Sequence, residues 1–232
     1  MTLNGEYRLR IITANGKEYL SDYMVAKKTP PIDSLEFKQE EKGVQIYVNT
    51  HDDSNNTRYY RWDFDETWEI WSYYYSSYKY ENDIVRPRVF SEDVSTCWKY
   101  ASSNTILLGS SERLQSDYIF RAPVTFINYD NKIGTEKLAV RYSILLRQYA
   151  LDKRGYEFYE MMKKMTEGLG SIFDSQPSEL KGNIKCTTDP RELVIGYVTA
   201  ASIEEKRFFI SARQLNGWRF FQDCPSSDIP NH

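Results

Sequence analysis

Hydrophobic and polar residues alternate strictly between Arg58 and Ile70. Tyr60, Trp62, Phe64, Trp68 and Ile70 fall on even positions, and Arg61, Asp63, Asp65 and Glu69 on odd ones. Period-two alternation predicts a strand with one face buried and one face wet. The same period recurs at Leu35 and Phe37, at Val44, Ile46 and Val48, and where Leu138, Val140, Tyr142, Ile144 and Leu146 alternate with Arg141, Ser143 and Arg147. Shorter strands are expected at Thr105–Leu108 and Val124–Ile127. A last pair is expected at Leu193–Thr199 and Arg207–Ser211, joined by a polar Ser202–Glu205 turn. Tyr7–Ala14 and Lys17–Leu20 flank Asn15-Gly16, a hairpin signal. One helix is legible: Asp152 can cap it, Phe158, Met162, Met165 and Leu169 recur at helical spacing, and Gly168 and Gly170 can end it. Met161, Met162 and Met165 read as core packing rather than a cofactor pocket.

These elements predict a mainly β protein. Residues 32–211 read as one β-sandwich of fibronectin-like or immunoglobulin-like character, with an amphipathic helical insertion late in the domain, near 153–169. Residues 1–23 read as the terminal hairpin of a truncated N-terminal sandwich, 24–31, ending in Pro30-Pro31, as a linker, and 212–232 as an irregular tail. Strand-like sequence begins within a few residues of Met1, and the chain stops soon after Cys224-Pro225. Both features make it read as a piece of a longer protein.

Composition adds one deviation to this picture. Hydrophobic residues at 41%, charged residues at 27% and a formal net charge of −3 are ordinary globular values, without the basic excess of a nucleic-acid binder. The deviation is nineteen tyrosines, which suit strands and amphipathic contact surfaces. No run approaches the roughly 20 apolar residues needed to span a bilayer, and the N-terminus lacks the basic start and apolar stretch of a signal peptide. Cys97, Cys186 and Cys224 lie far apart, and with only His51 and His232 beside them a structural zinc site is not expected. Buried free thiols and one long-range disulfide with a cysteine left over both remain open.

No catalytic constellation is visible. Asp52, Asp53, Asn55 and Asn56 supply oxygens of the kind calcium prefers, but they are also ordinary turn formers and lack the spacing of an EF-hand loop, so no metal site is assigned. Asn55-Asn56-Thr57 matches a glycosylation acceptor, a pattern common by chance. Asp63, Asp65 and Glu66 could be paired carboxylates for glycoside hydrolysis, yet Asp63 and Asp65 share the wet face of a strand, where charges belong. GxSxG and SxxK are absent, Gly109-Ser110-Ser111 is an isolated glycine turn, and no cofactor is implied.

The aromatic segment divides in two. Tyr60, Trp62, Phe64 and Trp68 read as sandwich core. Trp71, Tyr73, Tyr74, Tyr75, Tyr78 and Tyr80 do not, because consecutive rings on an extended chain project to opposite sides and one core cannot bury them all. These six are the candidate binding residues, docking either a partner or another domain.

Several segments together resemble one family, the Bacteroidetes lipoproteins known as domain of unknown function 4249. They are Gly5-Glu-Tyr-Arg-Leu-Arg-Ile with Asn15-Gly16-Lys17, Pro30-Pro31-Ile32-Asp33-Ser34, Gly43-Val-Gln-Ile-Tyr-Val, and Thr57 through Asp63. Further on come Cys97-Trp98-Lys99, Ser143 through Ala150, Gln176-Pro177, Gly182-Asn183-Ile184 before Cys186, and Gly196-Tyr197 before Lys206-Arg207. The resemblance implies an exported, lipid-anchored outer-membrane protein encoded beside a TonB-dependent transporter, with a preceding N-terminal sandwich and no established catalytic residues. On that basis the expected function is noncatalytic help to the transporter in nutrient capture, on the periplasmic or cell-surface side, with membrane contact only through a lipid anchor outside this chain. The ligand would be a small nutrient or a glycan. Export also permits a Cys97–Cys186 disulfide, with Cys224 unpaired. The competing readings are a glycan-binding module, which requires a groove with rings one sugar apart, and a hydrolase, which requires carboxylates converging in a pocket. A transporter partner requires a broad, flat aromatic patch.

Overall fold

A computed structural model describes residues 2–129, 135–167 and 180–217. In chain order it contains β1 (Glu6–Tyr7), β2 (Arg10–Ile12), β3 (Glu18–Ser21), β4 (Met24–Val25), β5 (Ile32–Glu40), β6 (Gly43–His51), β7 (Tyr59–Trp71), β8 (Tyr78–Glu81) and β9 (Ile84–Pro87). Then follow β10 (Thr96–Ser102), β11 (Leu107–Ser110), β12 (Tyr118–Asn128), β13 (Arg141–Leu151), α1 (Lys153–Glu167), β14 (Ile184–Cys186) and β15 (Ile203–Ser211). The protein is mainly β with one late helix.

Two antiparallel sheets make the sandwich. The first has the order β10-β7-β13-β15, with β11 beside β10 on the same edge of β7; the second has the order β12-β6-β5. Alternation in β7 works as the sequence indicates. Tyr60, Trp62, Phe64 and Trp68 point inward, each less than a tenth exposed, and join Val44, Ile46 and Val48 from β6 and Tyr142, Ile144 and Leu146 from β13 in one core.

Polar side chains share that interior, and Gln148, Asp117 and Glu66 are centres of their hydrogen bonding. Gln148 is fully buried; its Oε1 accepts from Trp62 Nε1 at 2.8 Å, and its Nε2 donates to the Pro30 carbonyl at 2.8 Å and to Thr50 Oγ1 at 2.9 Å. Asp117 accepts from the hydroxyls of Tyr60 and Ser111, so burial and then this carboxylate push the Tyr60 phenol far above its ordinary pKa. Glu66 occupies an inward position of β7, where it meets Lys137 Nζ and accepts from Tyr142 Oη at 2.6 Å.

Residues 24–31 are packed rather than loose. Ala26 is buried, the Thr29 N–H donates to Ser202 Oγ at 2.8 Å, and Thr29 Oγ1 accepts from Ala150 N at 3.1 Å. The Asn15-Gly16 hairpin forms between β2 and β3, with Gly16 at φ 79°. Its third strand is β14, paired to β3 with Cys186 opposite Tyr19. Just before β14, Gly182 lies against the Gly196 carbonyl, too close for any Cβ, and Asn183 exchanges two hydrogen bonds with the Val198 backbone.

Several expectations are corrected. Leu193–Thr199 is not a strand; its backbone serves Asn183 instead of a ladder. Ser202–Glu205 is no turn: Ile203, Glu204 and Glu205 begin β15, which pairs along β13 from Tyr149 to Arg141. The polar run misleads because β15 is an edge strand, wet along most of its length. On α1, Phe158 is buried against Tyr197 as expected, but Met165 faces solvent, and Leu169 lies outside the described residues. The expected Cys97–Cys186 disulfide is not formed. Cys97 is an exposed free thiol on β10, and Cys186 is a buried free thiol on β14, where Sγ lies 3.3 Å from Thr188 Oγ1 and accepts from Asp189 N at 3.3 Å. Cys224 and Gln176-Pro177 lie outside the described residues.

Candidate functional site: a bare aromatic sheet face and its arm

The outward face of the first sheet is ordered in cross-strand rows by its register. One row runs Trp98, Glu69, Arg141, Ser211; the next runs Tyr100, Thr67, Ser143, Phe209; a third runs Ser102, Asp65, Leu145, Arg207. Helix α1 covers only the far end of this face. There the Arg61 guanidinium lies over the rings of Tyr149 and Tyr159, at 4.4 and 5.3 Å, and Tyr59 packs on Tyr156. The upper rows carry no such cover among the described residues. Tyr100 is 85% exposed, and Trp71, Trp98 and Phe209 are each more than half exposed.

These rings are held in place by charges. Glu69, nearly buried, accepts from Trp71 Nε1 at 2.8 Å and pairs with Arg141 at 3.2 Å, and Arg141 in turn lies 5.2 Å over the Trp98 ring. The Trp71 and Trp98 rings are therefore fixed before any partner arrives, which lowers the ordering cost of a contact.

The chain then leaves the sheet as an arm, residues 72–95, before returning as β10. All six aromatic residues singled out from the sequence are exposed here or at the arm's root: Trp71, Tyr73, Tyr74, Tyr75, Tyr78 and Tyr80. Tyr73 and Tyr74 meet edge to face at 4.8 Å. Ile84, Val85, Val89 and Phe90 add exposed apolar surface, Phe90 being 98% exposed. Among the described residues the β8–β9 hairpin pairs with itself alone. Its shape comes from Glu92, which accepts from both Arg86 Nη atoms, from Lys79 and from the Val89 N–H. The Arg86 contact is the main reason that the Glu92 carboxyl sits well below the usual carboxylate range.

The other candidates resolve into structural roles. Asp63 and Asp65 both clamp Arg147, at 2.6 Å each, and hydrogen bonding from Arg147 holds the Asp65 carboxyl low. They border a recess of about 340 Å³ beneath α1. Glu66 points to the opposite side of the strand, so the three acids do not converge. Asp52 is a turn anchor: one oxygen takes Ser54 N and Oγ, and the other takes Asn56 N and Thr57 N. Among the described residues no His/Cys/Asp/Glu group could hold a metal ion. A half-open cleft of about 780 Å³ lies between Lys27, Lys28, Pro31, His51 and Asp53. His51 Nδ1 donates to Asp33 Oδ2, 2.8 Å away, and that contact raises its pKa.

Sequence reading reached the arm but missed Trp98, Tyr100 and Phe209. The alternation Thr96, Trp98, Tyr100, Ser102 was a usable signal for the first two. Both faces of β10 are wet, Cys97 and Lys99 as well as Trp98 and Tyr100, and that is not written locally.

The sequence profile of a family described as "Domain of unknown function (DUF4249)" matches residues 2–207. No curated protein and no solved structure matches the chain. No helix among the described residues is long and apolar enough to cross a membrane.

Proposed function

The chain belongs to the DUF4249 family, and from that membership together with the bare aromatic face we propose that it is a noncatalytic docking protein. Its partner is a TonB-dependent outer-membrane transporter, which it assists in nutrient capture, and its own place is the outer membrane, held by a lipid anchor. The observation that carries this reading is the set of exposed rings on one face of the sheet, Phe209 at one edge and Tyr100, Trp98 and Trp71 at the other, where they lead into the arm. Aromatic rings on this scale are enriched among binding hot spots, and contiguous apolar patches mark interaction sites. The Trp71 and Trp98 rings are pre-set by Glu69 and Arg141, and the exposed rings are spread over several strands, which suits a broad protein surface better than a sugar.

The test is co-purification of the full-length, membrane-extracted protein, wild type against Trp98→Ala/Tyr100→Ala and Tyr73→Ala/Tyr74→Ala. Burying one such ring is worth about 1.5–3 kcal/mol, so each pair should weaken transporter association at least tenfold. The thermal midpoint should hardly move. Association unchanged in both variants would end the docking reading. A glycan array bound by wild type and lost in Trp98→Ala/Tyr100→Ala would replace it with the glycan-binding alternative.

A further inference from the structure

The strand β10 is an edge of the first sheet, and among the described residues its outer hydrogen-bonding side is open. Two bonds of the same ladder fix its phase: Ser72 N donates to Ser95 O, and Ser103 N donates to Phe64 O. Residues 95 and 103 are thus turned toward β7, and with an unbroken register the odd positions between them are too. The backbone groups of Thr96, Trp98, Tyr100 and Ser102 point away from the sheet, and none has a partner among the described residues.

Natural sheets blunt such edges with bulges, proline, charges or a covering element. The second sheet does so: β12 carries two register shifts and Pro123. The other edge of the first sheet does so with charges, Glu204, Glu205, Lys206 and Arg207 standing in sequence on β15. β10 has neither bulge nor proline, and its single charge, Lys99, is already spent on Glu136 at 2.8 Å.

We propose that β10 pairs antiparallel with β10 of a second copy of this chain, joining the two first sheets across a two-fold axis at Trp98. Three features favour a copy over an unrelated strand. The strand is self-complementary: the axis at Trp98 sets Thr96 against Tyr100 and Trp98 against Trp98, an arrangement of aromatic and β-branched pairs that stabilises sheets. That register also sets Lys99 against Cys97, whereas an axis at Lys99 would oppose two like charges. The two-fold lies normal to the sheet, so the aromatic rows of both copies fall on one side and form a single wider face. Two seven-residue strands with the Trp98 and Tyr100 rings bury about 1,000 Å² in total, the low end of specific interfaces. The dimer is therefore a reversible one, populated in the micromolar range.

Sedimentation velocity across 1–200 µM protein tests this. The expected result is an apparent mass rising from 27.4 kDa toward twice that value. Tyr100→Pro removes an outward N–H and no bond to β7, as edge strands tolerate; it should leave a monomer at every concentration, and Thr96→Pro should do the same. A second readout needs no variant. A short maleimide–succinimidyl linker, applied to mixed ¹⁴N and ¹⁵N protein, should join Cys97 of one copy to Lys99 of the other. A monomer throughout the range, a dimer indifferent to both prolines, or inter-copy links elsewhere would each overturn the proposal. Transporter docking is read separately by Tyr73→Ala/Tyr74→Ala, since those rings lie in the arm and outside the β10 pairing.

Discussion

Replacing Gln148 with leucine tests how the core is tied to the segment before it. The two side chains have similar volume, so Gln148→Leu leaves little cavity and removes only the polar atoms. Gln148 is wholly buried, on the inner face of β13. Its loss orphans Trp62 Nε1 and the Pro30 carbonyl, which it meets at 2.8 Å each. Thr50 Oγ1 keeps its own bond to the Pro31 carbonyl at 3.0 Å. Each orphaned buried group costs about 1–3 kcal/mol, so the variant should lose about 2–6 kcal/mol. That is a large share of an ordinary domain's margin of about 5–15 kcal/mol. Urea unfolding followed by far-UV circular dichroism measures it. Adding Trp62→Phe deletes one orphan, so the double variant should be more stable than the sum of the singles by about 1–2 kcal/mol. A loss below about 1 kcal/mol, or strict additivity, would refute the account of a buried, satisfied network.

Three further outcomes are expected. His51 has its pKa raised by Asp33, so this contact stabilises the fold fully below about pH 6.5 and fades as pH rises through the higher folded value; the stability gap between wild type and His51→Gln should be small but present at pH 6 and close by pH 8. In a Cys224→Ser background, a maleimide should label Cys97 within minutes under native conditions and Cys186 only on unfolding, as mass spectrometry of the digests would show. Glu92→Ala should speed proteolytic cleavage within residues 72–95 while the thermal midpoint stays unchanged, because Glu92 organises the arm and touches no part of the sandwich core.

Much of the fold was legible because burial in a two-layer sandwich writes itself as period two. Every even residue of β7 from Tyr60 to Trp68 is buried, and the same logic placed β6 and β13. Glu66 follows the geometry but breaks the chemistry, since its partners Lys137 and Tyr142 come from distant parts of the chain. Sequence alternation could not separate β15, a polar edge strand, from a turn, nor Leu193–Thr199, an apolar stretch bonded to Asn183, from a strand. The arm was legible through its excess of rings. The sheet half of the candidate site was not, because the exposure of Trp98, Tyr100 and Phe209 depends on how far a helix some forty or more residues away reaches over the sheet.

The pairing of β14 with β3 sets a clock on assembly. Thr187 Oγ1 donates to the Glu18 carbonyl across 169 residues, and Lys17 meets Glu192 at 2.6 Å. The hairpin of β2 and β3 is local and can close in microseconds, but it stays two-stranded until the chain has made the whole sandwich and doubled back. Two strands alone are marginal in water. This hairpin is thus made before the sandwich that follows it and locked after it. Amide exchange in Tyr19–Ser21 should become protected after that in β7 and β13, at a rate set by the slow closure of a long loop.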